Sequence, residues 1–517
     1  MASHRYDVVV VGAGHNGLVC AAYLASAGRR VLVLDRRDRV GGAATTEEIQ
    51  PGFRASTAAY LVSLLQPKIA RDLELHRHGY EVMPKDPAYF APFPDGRAFF
   101  MWQDMARTQA EIARLSPRDA ERYPAYEAFL DRAAAAIRPW LLRPPPATGT
   151  PFDDDPELAA TFAHGSAADL LDRWFESDRL KVALASDGVI GHNGGPRTPG
   201  TAYVLLHHQM GGVGGVRGLW GFVRGGTGAL SEAIASAARA AGAEIRLNAE
   251  VGRVLTRDGA AVGVALADGE EIAADAVVSN ADPKRTFLGL VAPGDLPFDF
   301  RARVASFRSA GCSFKVNLAL DGLPAFTAAP GREVGPQHRG TVHLCPSLEY
   351  MDSAWRDCRA GRPSAAPTLE LTIPTAYDPS LAPPGKHVVS IFAQYAPYGL
   401  VEGSWDELRD SFADRVVDVL AAYAPNVKSL ILGRKVYSPL DLERTFGMAG
   451  GHIFHGELSP DQLFGKRFAY ETPIKGLFLC GSGTHPGGGV MGAPGHNAAA
   501  AVLAAAPSPS GRAGRGA

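Results

Sequence analysis

The apolar positions of this chain fall into two rhythms. Residues 7–11, DVVVV, are apolar at every position after the acid, the pattern of a central parallel strand covered on both faces. A burst of glycine follows. The stretch from about Asn16 to Ala27, with the small residues Ala21, Ala22 and Ala25, then predicts a helix closed by Gly28. VLVLD, residues 31–35, reads as a second buried strand ending on an aspartate. Farther along, residues 229–241 predict a helix stopped by Gly242. The alternating run after it is cut at Asp258-Gly259 and Asp268-Gly269, two hairpin turns of a small antiparallel meander. Near the C-terminus an apolar strand, Leu477 to Cys480, enters a glycine-rich loop and an alanine-rich helix that begins at Ala493 or Pro494.

The spacing of the first glycines adds chemistry to this pattern. Gly12, Gly14 and Gly17 follow the first strand as G-x-G-x-x-G. Each has a mechanical role, in turn a tight turn, backbone approach to a pyrophosphate, and close packing of helix on strand. With Ala13 and Asn16 they form a candidate phosphate cradle at a helix N-terminus, where free amides and positive partial charge favour an anion. Asp35, followed by Arg36, stands where a carboxylate accepts hydrogen bonds from ribose hydroxyls; a 2′-phosphate there would meet like charge, which disfavours NADP. Between NAD and FAD, the segment DRVGG decides: the pair Gly41 and Gly42 turns the chain back toward the cofactor, where an NAD dehydrogenase would continue into its next helix.

With the fingerprint, the glycine pair and the following Ala43 in place, the chain resembles the two-dinucleotide-binding-domain flavoproteins, the group containing phytoene desaturases and amine oxidases. Many of these carry a basic residue after the glycine pair, whereas this chain reads GGAATTEE. The longer motifs LDRWFESDRLKVALASDGVIG, TPGTAYVLLHH, DLERTFGMAGGHIFHG and LCGSGTHPGGGVMGAPGHNAA narrow the resemblance to the branch named for a pyridine nucleotide-disulfide oxidoreductase domain, with bacterial carotenoid desaturases and ketolases more distant, over residues 5 to about 505. The resemblance implies an α/β fold: a Rossmann-like FAD-binding domain with a discontinuous α+β substrate domain. It also implies one FAD, a backbone group at Val251 beside the adenine, and Gly481, Ser482 and Gly492 in a C-terminal flavin loop. The activity it implies is that of an FAD-dependent oxidoreductase, placed in animals in the mitochondrial matrix and tied to mitochondrial function. Gly487, Gly489 and Gly492 repeat the glycine spacing, but the strand before them ends too early for a second dinucleotide site.

On this reading residues 5–62, 220–290 and 440–506 bind FAD, residues 63–219 and 291–439 form the substrate domain, and residues 507–517 are a disordered tail. The chain has 517 residues, 46% apolar, and a formal charge of -2, which leaves no basic surface for nucleic acid. Its five cysteines are scattered, without the close spacing a redox dithiol needs, so the disulfide chemistry in the branch name is not expected. The pairs His207 with His208 and His452 with His455 lack carboxylate or cysteine company at ligand spacing, and no metal is expected. No apolar run approaches the roughly 20 residues of a membrane span, and the first strand starts too early to leave a leader, so a cytoplasmic protein is expected. RPWLLRPPP, Arg138 to Pro146, reads as a helix end, with a dip into a membrane surface as the alternative.

No acid–base dyad is visible, and His485 in the C-terminal loop is the candidate to face substrate or flavin. The chemistry expected is hydride removal from a C–H bond of a largely apolar metabolite, with oxygen or a quinone as electron acceptor. The alternatives are a flavin amine oxidase on the same fold and a flavin-containing regulatory protein without turnover.

Overall fold

The structure, a computed structural model, describes residues 5–505. The expected tail, residues 507–517, lies outside the described residues. The chain opens with strand β1 (Tyr6–Val11), helix α1 (His15–Ser26) and strand β2 (Val31–Leu34). Val8 to Val11 are all buried, each contributing about 1.5–3 kcal/mol of apolar burial, as a central strand demands. In the first sheet the strands Glu244–Arg246, β2, β1 and Glu271–Ser279 lie side by side and parallel. One edge of Glu271–Ser279 is shared: its first half pairs antiparallel with Ala260–Leu266, the middle of the meander, and its second half pairs parallel with Leu477–Leu479. The last strand of the chain is thereby placed two strands away from the first.

Both expected hairpins form, with Asp258, Gly259 and Gly269 at positive φ. The helix expected from residue 229 begins earlier, spanning Thr227–Ala240, because Ser56 Oγ and Thr46 Oγ1 accept the amide N–H groups of Thr227 and Gly228 from a distant part of the chain. Helix α1 and the C-terminal helix Ala493–Ala505 meet face to face, and a β-carbon on Gly495 would fall 2.1 Å from the Asn16 carbonyl oxygen.

A second, mixed sheet runs in the order Ile431–Tyr437, Ser313–Leu320, His387–Gln394, Thr368–Thr372, Thr341–Leu344, Tyr89–Pro92, Ala98–Met101. Its central strands alternate, with one irregularity where Ser313–Leu320 pairs with the edge strand Ile431–Tyr437. Phe314, Val316, Leu318, Leu369, Leu371 and Ile391 join the core beneath the helix Trp405–Tyr423, while Lys315, Asn317 and Glu370 point to the other face. Helices Pro117–Leu141, Asp178–Val189 and Thr201–Gln209 form a further apolar cluster with Tyr126, Phe129 and Tyr203.

The segment after Arg138 ends the long helix and forms an internal seam. Leu141 is buried, the Trp140 carbonyl accepts from His485 at 2.8 Å, and the Leu141 carbonyl accepts from Asn497 Nδ2 at 3.0 Å. The helix end expected here forms, with Leu141 turned inward and Trp140 and Leu142 half-buried. Among the described residues no helix is long and apolar enough to cross a membrane.

Candidate active site

A groove of about 910 Å³, counting its open mouth, lies beyond the C-terminal ends of the parallel strands. Each strand delivers its next residues to the wall: Gly12 and Gly14 after β1, Asp35 and Arg36 after β2, Ala249 to Val251 after Glu244–Arg246, Asn280 after Glu271–Ser279, and Ser482 after Leu477–Leu479. The floor has no room for side chains. A β-carbon on Gly14 would lie 2.7 Å from Asn280 Nδ2, Gly12 and Gly41 have φ of +100° and +110°, and Gly42 packs on the Gly14 Cα. Gly14 caps α1 with no side-chain hydrogen bond, so among the described residues the first-turn amides have no side-chain acceptor and the buried Asn16 Oδ1 has no partner. A side-chain-free floor, helix amides without an acceptor and a ribose-height carboxylate fit the diphosphate and sugars of a dinucleotide.

Asp35 ties this floor together. Its Oδ2 accepts the Ala13 N–H at 2.7 Å and its Oδ1 the Arg37 N–H at 2.8 Å, leaving further lone pairs toward the groove. The arginine heads are committed elsewhere: Arg36 donates to the carbonyls of Arg444 and Thr445 at 2.7 and 3.0 Å, and Arg37 pairs with Glu47 at 2.6 Å.

The groove opens into a second, mostly apolar cavity of about 1190 Å³. His15, Ala43, Met448, His455 and Ser482 line both. The joint brings chain ends together, since Asn16 Nδ2 donates to Ser482 Oγ at 3.2 Å and His15 Nε2 meets the Gly489 carbonyl at 3.2 Å. Burial lowers both imidazoles to about 4, the Gly489 carbonyl opposing this at His15, so both are neutral at pH 7. Arg467 positions this wall: fully buried, it donates to the carbonyls of Phe454, Gly456, Glu457, Ser482 and Thr484, clamping the loops that carry His455 and Ser482. Burial brings its guanidinium down to about 10, still protonated at pH 7.

The cavity's sheet wall is polar. Strand register places Lys315, Phe392, Glu370 and His343 in one row across four neighbouring strands. Tyr60 Oη donates to Glu370 Oε1 at 2.5 Å and His343 Nε2 lies 3.3 Å from Oε2. Burial pushes the Glu370 carboxyl up, but the bonds from His343 and Tyr60, with Lys85 nearby, outweigh it and hold Glu370 at about 2. Asp187 accepts from Tyr89 and, at 2.5 Å, from Gln209. Asp187, His343 and Glu370 hold ligand-type atoms within 4.8 Å of one another, a constellation no sequence spacing announced. Tyrosine and glutamine donors already bond both carboxylates, His343 Nδ1 is turned to the Ala183 carbonyl, and Lys85 and Lys315 share the wall, so the group is built as a polar network.

Of the residues expected to contact the cofactor, Gly12, Gly14, Asn16, Asp35, Arg36, Gly41, Gly42, Ala43, Val251 and Ser482 line the groove. Ala13 acts through its amide. Gly17, Gly481 and Gly492 lie behind the groove as close-packing positions: added β-carbons would fall 2.2 Å from the Gly12 oxygen, 2.6 Å from the Asn280 oxygen and 2.9 Å from Ile69 Cδ1. His485 is a correction. It lines neither cavity, its Nε2 is held by Trp140, and burial lowers it to about 4, the carbonyl bond opposing. Sequence reasoning missed His15, His455, Arg467 and the lysines. Lys315 alone had a local signal, a charge inside the apolar alternation CSFKVNLAL. All five cysteines are free and buried, and none lines either cavity. Folding nevertheless sets Cys480 against Cys20, next to Asn280 of the groove wall, and burial pushes the Cys480 thiol well up, away from the thiolate that exchange needs.

The family model described as flavin containing amine oxidoreductase matches residues 17–503. The chain belongs to this family. FAD is accordingly its cofactor, and as a family member the protein is an FAD-dependent oxidoreductase acting on a small molecule. It is 44% identical to "Pyridine nucleotide-disulfide oxidoreductase domain-containing protein 2" of Mus musculus, over 96% of this chain and 93% of that one. It is 31% identical to a component of limonene dehydrogenase from Castellaniella defragrans, over 96% and 94% of the two chains. An oxidoreductase structure from Methanosarcina mazei, 19% identical, covers 96% of this chain and 99% of its own with a TM-score of 0.63, so the family fold is shared.

Proposed function

We propose that this protein removes a hydride from a C–H bond of a largely apolar metabolite, with oxygen or a quinone taking the electrons afterwards. The observation that carries this reading is the joint between the dinucleotide groove and the apolar cavity, where five residues belong to both walls. In this reading Asp35 and Val251 hold the adenosine end of FAD, the turns at Gly12–Gly14 and Gly41–Gly42 take the diphosphate, and His15, Ala43, His455 and Ser482 border the flavin ring. FAD, when bound, supplies the two-electron acceptor. The chain supplies alignment and dryness. Ala58, Ala59, Leu61, Leu64, Ile453 and Phe454 exclude water around the reacting carbon, and Arg467 fixes the wall against which it rests. The neutral imidazoles of His15 and His455 put no positive charge beside the bond that gives up hydride. A relative named for limonene, an apolar terpene, supports the substrate class.

The test is anaerobic: FAD-loaded protein is mixed with terpenes, isoprenoid alcohols and long-chain acids, and in parallel with primary and secondary amines, while the flavin's visible absorbance is followed. Bleaching by an apolar compound supports the reading. Bleaching by amines alone, or by nothing in either panel, sinks it.

A further inference from the structure

The polar row on the sheet wall has donors left over. Both carboxylates in it serve donors other than the lysines: Glu370 accepts from Tyr60, and Asp187 from Tyr89 and Gln209. The lysines are left without a charged partner. Lys315, 3% exposed, has an Nζ with no hydrogen-bond partner among the described residues and lies 3.5 Å from the Tyr60 ring centroid. Lys85, 1% exposed, donates to the neutral hydroxyl of Thr341, and neither lysine makes an ion pair among the described residues. An ammonium carries three donors, and leaving them unmet in a low-dielectric interior costs several kcal/mol. Burial accordingly drives Lys315 well below, and Lys85 to about 8 from, the ordinary lysine value, with Glu370 opposing in each case.

We infer that the cavity takes an apolar carboxylic acid whose carboxylate pairs with Lys315, backed by Lys85, while its hydrocarbon body lies along the alanine and leucine wall. This rests on the reading of the cavity as the substrate site and names the substrate class. A carboxylate brings two oxygens with about four acceptor positions, the complement of the two amines. A plain hydrocarbon leaves Lys315 unpaired, and an alkylamine adds a further donor and cation beside two lysines. The geometry thus separates this chain from a family member built to receive an ammonium group.

The experiment uses FAD-loaded protein and three probes of one chain length, decanoate, decanamide and decylamine, with binding measured by titration calorimetry. Decanoate is expected to bind at least about tenfold tighter than decanamide, with decylamine weakest. Lys315→Met should bring decanoate down to the affinity of decanamide in the same variant, and Lys85→Met should reduce the preference by a smaller factor. Equal binding of acid and amide by the unaltered protein overturns the inference and needs no variant; so does tighter binding of decylamine. An acid preference that survives in both lysine variants overturns it as well. Flavin absorbance of the same samples reports separately on the dinucleotide groove, so loss of FAD is told apart from loss of acid selectivity.

Discussion

Gly17 illustrates how little space single residues leave around the groove. Its β-carbon would sit 2.2 Å from the Gly12 carbonyl, a backbone atom that cannot swing aside, so Gly17→Ala must push α1 off β1. We expect Gly17→Ala to purify with less than about a tenth of the normal flavin content and to melt lower; flavin occupancy and melting temperature check this, and unchanged occupancy would contradict the packing role. Arg467 works by its donors. Arg467→Met leaves buried carbonyls at Phe454, Gly456 and Ser482 unmet, at about 1–3 kcal/mol each if none finds water. Loss of fixed geometry at His455 should weaken FAD retention as well as stability, and a variant with normal flavin affinity would refute the clamp.

The elements are legible in proportion to how local their causes are. The β1–α1–β2 unit lies within one continuous stretch, each glycine acting on its sequence neighbours, and it forms within a residue of the expected limits. The helix at Thr227 starts two residues before its expected limit because its N-terminal acceptors, Thr46 and Ser56, come from a hairpin far upstream. His485 departs from expectation for the same kind of reason: the carbonyl that binds it belongs to Trp140 on another helix. The second sheet sorts its side chains by the alternation of its strands, one face against the helix Trp405–Tyr423 and the other toward the cavity. Truncation on the far face should therefore cost stability without touching the cofactor. Phe412→Ala, in that core against Phe314 at 4.8 Å between ring centroids, is expected to lose about 3–5 kcal/mol in chemical denaturation. An altered flavin spectrum in this variant would break the separation of the two faces.

Across the whole molecule, burial has made a set of histidines neutral. His15, His192, His455 and His485 are all lowered to about 4, with burial the leading cause in each. In the unfolded chain they titrate near about 6.5. Between those values the unfolded chain binds protons that the folded one refuses, so their stabilisation is full above about pH 6.5 and is lost as pH falls toward 4. The melting temperature of the FAD-loaded protein should drop by about 5 °C or more between pH 7 and pH 5; a flat profile in scanning calorimetry would refute the neutral assignment. On the same scale, the sequence by itself determined the cofactor class and the glycine turns of the groove floor, because a dinucleotide is recognised by backbone turns that a short contiguous stretch encodes. It also placed glycine-rich loops at both ends of the chain. Only the tertiary structure decided that those ends share one groove, through the pairing of Leu477–Leu479 with Glu271–Ser279, and that Lys315, Glu370 and His343 line one wall. Strand register between segments far apart in the chain carries no local spacing signal, and it is register that composes the polar wall of the apolar cavity.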